Sequence, residues 1–295
     1  MSYSIIIHGG AGSSLKEFIK DKKELKQIEK LYMDALKQII NFGKKLLQNN
    51  IPAIDVVERC CIKLENNELF NAGIGATKNK ENKIFHDAII VDGKTRNWGA
   101  ISNCNIHRNP VKLAKHIMNK KNMGLICGNE NIKKYCHSHK ISTVNSRYFK
   151  SKFRNRLDKL DDDLGTVGVV VRDKFGNICC TTSTGGLTNK MPGRIGDTPM
   201  CGVSSIASNQ ICGISVSGQG EEIIKNNVAS KIFYQMKYTN KSLSECIDDT
   251  LENMPSGTCG IIGIDSHGNI YFNKNTRRMY TASADSKNNI NISLY

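Results

Sequence analysis

The sequence has 295 residues, 39% of them hydrophobic, which is enough apolar material to bury a sizeable core. This excludes a disulfide-stapled miniprotein and a wholly disordered chain. The net charge of +15 would suit nucleic acid or a membrane surface only if it were focused on one face. The lysines are instead scattered among asparagines, as in Lys78–Lys83, so we expect neither nucleic acid nor a membrane as a partner.

Location and redox state are predicted from the N-terminus and the cysteines. No apolar run reaches the roughly 18 to 20 residues that cross a bilayer, and Met1–His8 lacks the basic and apolar regions of a secretory signal. The cysteine count of 11 is odd and no C-x-x-C spacing occurs. We therefore expect a cytoplasmic protein with reduced cysteines and no zinc site.

The first half of the chain alternates strands with helices. In chain order, the patterns predict a strand at Tyr3–His8, helices over Leu15–Leu47 and from Pro52 to Leu64, strands at Ile84–Val91 and Trp98–Ile101, and a helix after Pro110. Residues 136–165 have little apolar periodicity and carry a basic run followed by Asp161–Asp163. This composition predicts a flexible linker.

The second half begins with strands and continues with helices. The patterns predict strands at Val167–Arg172, Ile178–Ser183, Cys201–Ile206 and Cys212–Ser217, helices at Glu221–Lys237 and Ser242–Glu252, and a hairpin of Cys259–Asp265 with Ile270–Asn273. Ser242 with Glu245 forms a capping-box pattern. Each half thus supplies strands and helices, which favours helices layered on packed sheets.

Three hydroxyl residues lie at strand ends beside glycines: Thr166, Thr184 and Ser217. A hydroxyl nucleophile needs a base, and no histidine or lysine adjoins these motifs in the sequence. Cleavage before Thr166 would provide one, because a free α-amino group with a pKa of about 7.7 to 8.0 is partly neutral near physiological pH. Thr166 would then carry both the nucleophile and the base.

Seven short, mostly glycine-rich motifs follow one another along the chain: Ile7–Gly12, Phe70–Gly75, Asp92–Gly93, Gly165–Gly168, Thr182–Gly186, Gly193–Pro199 and Gly218–Glu221. In this order they resemble the plant-type asparaginase and isoaspartyl peptidase family of N-terminal nucleophile hydrolases. The resemblance implies an α+β fold, a four-layer αββα sandwich. It also implies cleavage into an α subunit (1–165, ending in the 136–165 linker) and a β subunit (166–295), paired as (αβ)2.

The resemblance also implies roles for individual residues. Thr166 would be the nucleophile and, through its new α-amino group, the base, while Thr184 and Ser217 would orient it. Arg194 and Asp197 would hold the α-carboxylate and α-amino groups of the substrate, as a cationic fork and a carboxylate suit. Gly218 and Asn71 would donate hydrogen bonds to the oxyanion, and Gly218 and Gly220 would take part in substrate binding.

No cofactor for catalysis is implied, but a structural sodium ion is. Its ligands would be the main-chain carbonyls of Leu64, Glu65, Asn67, Phe70, Ala72 and Ile74. Hard cations suit carbonyl oxygen, so the side chains of this loop matter little.

The expected activity is hydrolysis of β-aspartyl dipeptides and L-asparagine, releasing L-aspartate, with ammonia from asparagine. Ser217 departs from the family, which usually has threonine there, although the hydroxyl is kept. One alternative is a glycosylasparaginase-like enzyme that removes sugar from asparagine. Another is an uncleaved, inactive binding protein with the same fold, recognisable by an intact chain and salt-dependent nucleic-acid binding.

Overall fold

The structure is a computed structural model and describes residues 2–151, 153–154 and 165–295. Within these residues the strands, in chain order, are β1 (Ser4–Gly12), β2 (His86–Asp92), β3 (Trp98–Cys104), β4 (Leu125–Cys127), β5 (Val167–Arg172), β6 (Ile178–Thr184), β7 (Ser205–Ala207), β8 (Cys212–Gly218), β9 (Cys259–Asp265), β10 (Ile270–Lys274), β11 (Arg278–Asp285) and β12 (Ile290–Ser293). They form an eight-stranded sheet in the order β12-β11-β1-β5-β6-β2-β3-β4 and a four-stranded sheet in the order β10-β9-β8-β7. Neighbouring strands are antiparallel except β3 and β4, which are parallel.

Helices cover the outer face of each sheet. The α-helices of the described residues are α1 (Leu15–Phe18), α2 (Lys22–Gln48), α3 (Ala53–Glu65), α4 (Pro110–Met118), α5 (Asn129–Ser138), α6 (Gly220–Asn226), α7 (Val228–Tyr238) and α8 (Leu243–Glu252). Helices α2, α3 and α4 pack on the larger sheet, whereas α7 and α8 pack on the smaller one. The order of layers is therefore helix, sheet, sheet, helix, which confirms the predicted αββα sandwich.

Strand β1 illustrates why the central strands are apolar throughout. Ile5 and Ile7 face the core under the helices, while Ile6 faces the core between the two sheets. Because side chains alternate along a strand and both faces of this sheet are covered, every position of the run is buried. From the smaller sheet, Ile262 and Ile264 complete the inner core.

Part of the predicted linker is ordered structure, so the prediction was wrong for its first residues. Cys136 is fully buried in α5, and Phe149 is fully buried at the end of a 3-10 helix, Ser146–Phe149. In α5 the buried Ile132, Tyr135 and Cys136 recur at helical spacing, but they lie in a polar segment that conceals the pattern. Positions 152 and 155–164 of the predicted linker lie outside the described residues.

Two long predicted helices are interrupted. The first breaks near Ile19, and the second at Asn227, whose φ and ψ of 47° place it in the left-handed region. Asparagine tolerates this conformation better than most residues. The predicted strand at Cys201–Ile206 is shorter, since only Ser205–Ala207 pairs as β7 and Cys201 forms an isolated bridge.

Among the described residues, no helix has the length and apolar character needed to cross a membrane. The cysteines are free thiols, most of them buried. Burial raises the pKa of Cys60 to about 12, which keeps such thiols protonated and unreactive.

Candidate active site

Adjacent strands bring the predicted hydroxyl residues to one place. In the pairing of β5 with β6, Val167 lies opposite Ser183, so Thr166 and Thr184 are neighbours just beyond this pair. Ser217 comes from β8 of the other sheet, and its Oγ accepts a hydrogen bond of 3.1 Å from the Thr166 amide. The three residues therefore come together in the uncleaved chain.

Ser217 acts here through its hydroxyl oxygen. The same Oγ also accepts a hydrogen bond of 3.0 Å from the amide of Ala11, in the glycine-rich turn that ends β1. The side chain is fully buried. Because the contacts use only the hydroxyl, the change from threonine to serine leaves both of them in place.

Thr184 is held by the glycine turn that follows it. Its Oγ1 accepts a hydrogen bond of 2.9 Å from the Gly186 amide. Gly186 has a φ of +81°, a conformation that favours glycine. The Thr-Gly-Gly segment therefore fixes the Thr184 hydroxyl at the edge of the site.

Gly165, at the predicted cleavage position, is closely packed against the glycine-rich end of β1. A Cβ at Gly165 would lie 2.5 Å from the Ala11 nitrogen and 2.6 Å from the Ala11 oxygen. A side chain there would displace backbone, which explains a glycine directly before Thr166. Close approach also explains Gly218, where a Cβ would lie 2.0 Å from the Thr258 carbonyl oxygen.

A narrow cavity adjoins Thr166 and contains the two predicted substrate-binding side chains. Its walls are formed by Gly165, Thr166, Thr184, Gly186, Leu187, Arg194, Gly196, Asp197, Thr198, Gly218 and Gly220. A Cβ at Gly220 would lie 2.9 Å from both Arg194 Nη2 and Asp197 Oδ1. Gly220 thus leaves room for both charged groups in the cavity beside Thr166.

The buried carboxylate of Asp197 is suited to binding a cation. It is almost fully buried, and burial raises the pKa of its carboxyl to about 7 despite opposing hydrogen bonding and the nearby Arg194 charge. Its Oδ2 has no hydrogen-bond partner among the described residues. A buried carboxylate oxygen of this kind gains most from an incoming ammonium group.

Arg194 already has an anionic partner, which sequence reasoning missed. Its Nε and Nη2 donate to the two carboxylate oxygens of Glu221 at 2.9 and 2.8 Å. This bidentate bond holds the pKa of Glu221 below its usual range. Glu221 directly follows Gly220 in the first turn of α6, and only the folded chain shows that it pairs with Arg194.

Asn71 lies behind the cavity wall. Its Nδ2 donates to the Gly186 carbonyl at 2.8 Å, and its Oδ1 accepts from the Thr77 amide at 3.0 Å. These contacts support the Thr-Gly-Gly turn. The oxyanion role of Asn71 stays a prediction.

The predicted cation loop folds back on itself around two glycines. A Cβ at Gly73 would lie 2.1 Å from the Glu65 carbonyl oxygen, and one at Gly75 would lie 2.1 Å from that of Phe70 and 2.9 Å from that of Asn67. The Asn67 and Phe70 carbonyls accept main-chain hydrogen bonds from the Phe70 and Ala72 amides at 3.3 and 2.8 Å. The two glycines thus let the chain pass close to three of the predicted ligand carbonyls, and the sodium site itself stays a prediction.

The side chain of Glu65 connects this loop to the catalytic strands. Its Oε1 accepts hydrogen bonds from the Ser183 hydroxyl at 2.8 Å and from the Val111 amide at 2.9 Å. Burial raises the pKa of Glu65 to about 8, opposed by these bonds. The loop and the end of β6 are thus tied together one residue before Thr184.

Helices covering two stacked sheets, with a threonine after a glycine directly before the central strand β5, are the features expected of an N-terminal nucleophile hydrolase. The sequence profile of the family described as Asparaginase matches residues 1–160 and 150–294. The chain belongs to this asparaginase family.

Several relatives cover nearly the whole chain. The isoaspartyl peptidase of Salmonella typhimurium strain LT2 is 35% identical, covering 94% of each chain. The isoaspartyl peptidase of Escherichia coli K12 is also 35% identical, over 94% of this chain and 91% of its own. The isoaspartyl peptidase/L-asparaginase of Xenopus laevis is 35% identical, over 95% and 91%.

Proposed function

We propose that this protein is an isoaspartyl peptidase and L-asparaginase that activates itself by cleavage between Gly165 and Thr166. The observation that carries the proposal is the contact between Thr166 and Ser217 at a cavity that also holds Arg194 and Asp197. The proposed nucleophile thus lies in the same small cavity as Arg194 and Asp197, which would bind the α-carboxylate and α-ammonium groups of the substrate. The printed names of the relatives support the same substrate class.

Activation uses the hydroxyl of Thr166. Its Oγ1 attacks the Gly165 carbonyl carbon, the peptide C–N bond breaks, and water hydrolyses the resulting ester. The products are a carboxylate on Gly165 and a free α-amino group on Thr166. That amine, with a reference pKa of about 7.7 to 8.0, can then accept the hydroxyl proton in each catalytic cycle.

Substrate is recognised by its aspartyl end. Arg194 binds the α-carboxylate after leaving Glu221, and Asp197 Oδ2 binds the α-ammonium. Thr166 Oγ1 then attacks the side-chain carbonyl, ammonia or the amino-acid leaving group departs, and water releases L-aspartate from the acyl-enzyme. The Gly218 N–H and the Asn71 amide are the proposed donors to the oxyanion.

A sodium ion in the 64–75 loop is part of the proposal. The carbonyls of Leu64, Glu65, Asn67, Phe70, Ala72 and Ile74 would hold it. Through the Glu65 side chain the loop would then stabilise the end of β6, so the ion has a structural role. Family resemblance alone supports an (αβ)2 assembly and a cytoplasmic location.

The test combines chain cleavage with substrate turnover. Intact mass should show two chains that meet at Gly165/Thr166, and the processed protein should hydrolyse a β-aspartyl dipeptide and L-asparagine. Thr166→Ala should stay whole and inactive, whereas Arg194→Ala should still be cleaved but show a raised KM. Cleavage of the Thr166→Ala variant, or turnover of glycosylated asparagine in place of both substrates, would contradict the proposal.

A further inference from the structure

A second set of polar residues lies directly behind the catalytic hydroxyls. Near the cavity, Thr166 directly before β5, Thr184 at the end of β6 and Ser217 near the end of β8 form an outer set. Two residues further from the cavity, the same strands carry Gly168, Thr182 and Ser215. Because residues two apart share a face of a strand, this inner set points the same way as the outer one.

Hydrogen bonds connect the inner set across the two sheets. Ser215 Oγ, from the smaller sheet, lies 2.9 Å from His8 Nε2 and 2.9 Å from Thr182 Oγ1, both in the larger sheet. Thr182 Oγ1 also bonds to the Ser205 hydroxyl on β7. These four side chains are all fully buried. They therefore form one buried polar bridge between the sheets, which we call the inner hydroxyl bridge.

Gly168 makes room for this bridge. In the larger sheet His8 pairs with Gly168, which pairs in turn with Thr182. A Cβ at Gly168 would lie 2.0 Å from Ser215 Oγ and 2.3 Å from His8 Nε2. The bridge passes directly over the backbone of the residue two positions after Thr166, which explains why a glycine occupies that position.

The histidine of the bridge is a neutral hydrogen-bonding group. Burial lowers the pKa of His8 to about 3, so the ring carries no charge at the pH values where the enzyme would work. A neutral ring with one donor and one acceptor nitrogen can hold Ser215 without adding charge to the core. His8 is thus suited to setting geometry and unsuited to exchanging protons with the nucleophile.

We propose that His8, Thr182 and Ser215 are positioning residues that set β8 against β5 and β6, so that Ser217 Oγ lies at the Thr166 nitrogen. The inference rests on the proposed function, since it assumes that Thr166 is the nucleophile. Reaction rates depend steeply on the placement of the attacking atom, and a misplacement of about 1 Å costs about a hundredfold. Arg194 and Asp197 belong to a different segment, so substrate affinity should be much less sensitive.

The test removes single hydroxyls from the bridge. In Thr182→Val and Ser215→Ala, we expect cleavage at Gly165 and the kcat of the processed enzyme to fall by about tenfold or more, with KM changed by less than about threefold. Thr182→Ser keeps the hydroxyl and should restore both rates. The matched control is Thr250→Val, which removes another fully buried hydroxyl, bonded at 2.8 Å to the Cys246 carbonyl within α8.

Urea denaturation of every variant separates positioning from stability. The proposal predicts that Thr250→Val loses stability comparably to Thr182→Val but keeps cleavage and kcat at the level of the unmodified chain. It is overturned if both bridge variants keep their rates within about twofold, or if Thr182→Ser is as slow as Thr182→Val. An unmodified chain that neither cleaves nor turns over substrate would overturn the proposed function itself, and this inference with it.

Discussion

Removing the Ser217 hydroxyl should weaken the fold and prevent activation. The oxygen accepts two main-chain hydrogen bonds, from Ala11 at 3.0 Å and from Thr166 at 3.1 Å. The site is fully buried, so no bulk water replaces the lost acceptor in Ser217→Ala. Each unpaired buried donor costs about 1 to 3 kcal/mol, and with partial relaxation we expect a total loss of about 2 to 4 kcal/mol.

Stability must be compared between chains in the same processing state. We would place Ser217→Ala in a Thr166→Ala background, which keeps the backbone amide but blocks cleavage, and measure urea unfolding against Thr166→Ala alone. The midpoint should fall while the slope of free energy against urea stays constant, since the same surface is exposed on unfolding. Cleavage itself is measured by intact mass in chains that retain Thr166.

Ser217→Thr is the matched control, because it keeps the hydroxyl and restores the residue usual in the family. It should cleave, whereas Ser217→Ala should cleave at least about a hundredfold more slowly. The reasoning would be refuted by a stability loss below about 0.5 kcal/mol in the double variant. Cleavage of Ser217→Ala at the rate of the unmodified chain would refute it equally.

Three further predictions concern the charged groups and the loop glycines. Asp197, with its pKa raised to about 7, must be ionised to bind the substrate ammonium, so kcat/KM should fall as the pH drops through about 7. In kcat, which reports the bound complex, the Asp197 titration should be absent and only that of the Thr166 α-amino base should remain, so identical pH profiles of kcat and kcat/KM would contradict the assignment. The Glu221→Gln variant removes the ion pair that holds Arg194, so KM should fall by up to about fivefold with kcat unchanged. A raised KM would contradict this and would mean that Glu221 orients the Arg194 guanidinium for substrate. Gly73 has a φ of +55°, and the new Cβ of Gly73→Ala would lie 2.1 Å from a backbone oxygen, so the free energy of unfolding should fall by more than about 2 kcal/mol. The control is Gly257→Ala, where φ is +82° but the Cβ would enter open space, and there the loss should be about 1 kcal/mol. Equal losses in the two variants would show that the loop adjusts easily to the extra methyl group.

Local features were predictable because a few neighbouring residues determine them. The capping box of Ser242 and Glu245 is present at the start of α8, and the hairpin of β9 with β10 forms as expected. By contrast, no element was predicted at 278–285, although β11 pairs with β1 there in the larger sheet. That pairing joins segments more than 260 residues apart, and the pattern of neither segment indicates which strand it pairs with.

In the candidate site, too, some residues were indicated by the sequence and others only by the structure. Glycines and hydroxyls at strand ends identified Thr166, Thr184 and Ser217, and the motif order identified Arg194 and Asp197. The partner of Arg194 was missed, because Glu221 lies 27 residues further along the chain, in the first turn of α6. This contact depends on how the chain folds and not on residue type.

By itself, the sequence indicated most of the strands and helices through periodicity, whose physical causes act over a few residues. The ordered motifs, through the family that they resemble, supplied the αββα fold class and the candidate residues of the site. Only the tertiary structure showed that Ser217 Oγ accepts hydrogen bonds from two backbone amides. It also showed that His8, Thr182 and Ser215 form one hydrogen-bonded bridge over Gly168. Such contacts arise from the register of strands and the spacing between sheets, which the whole chain sets together when it packs.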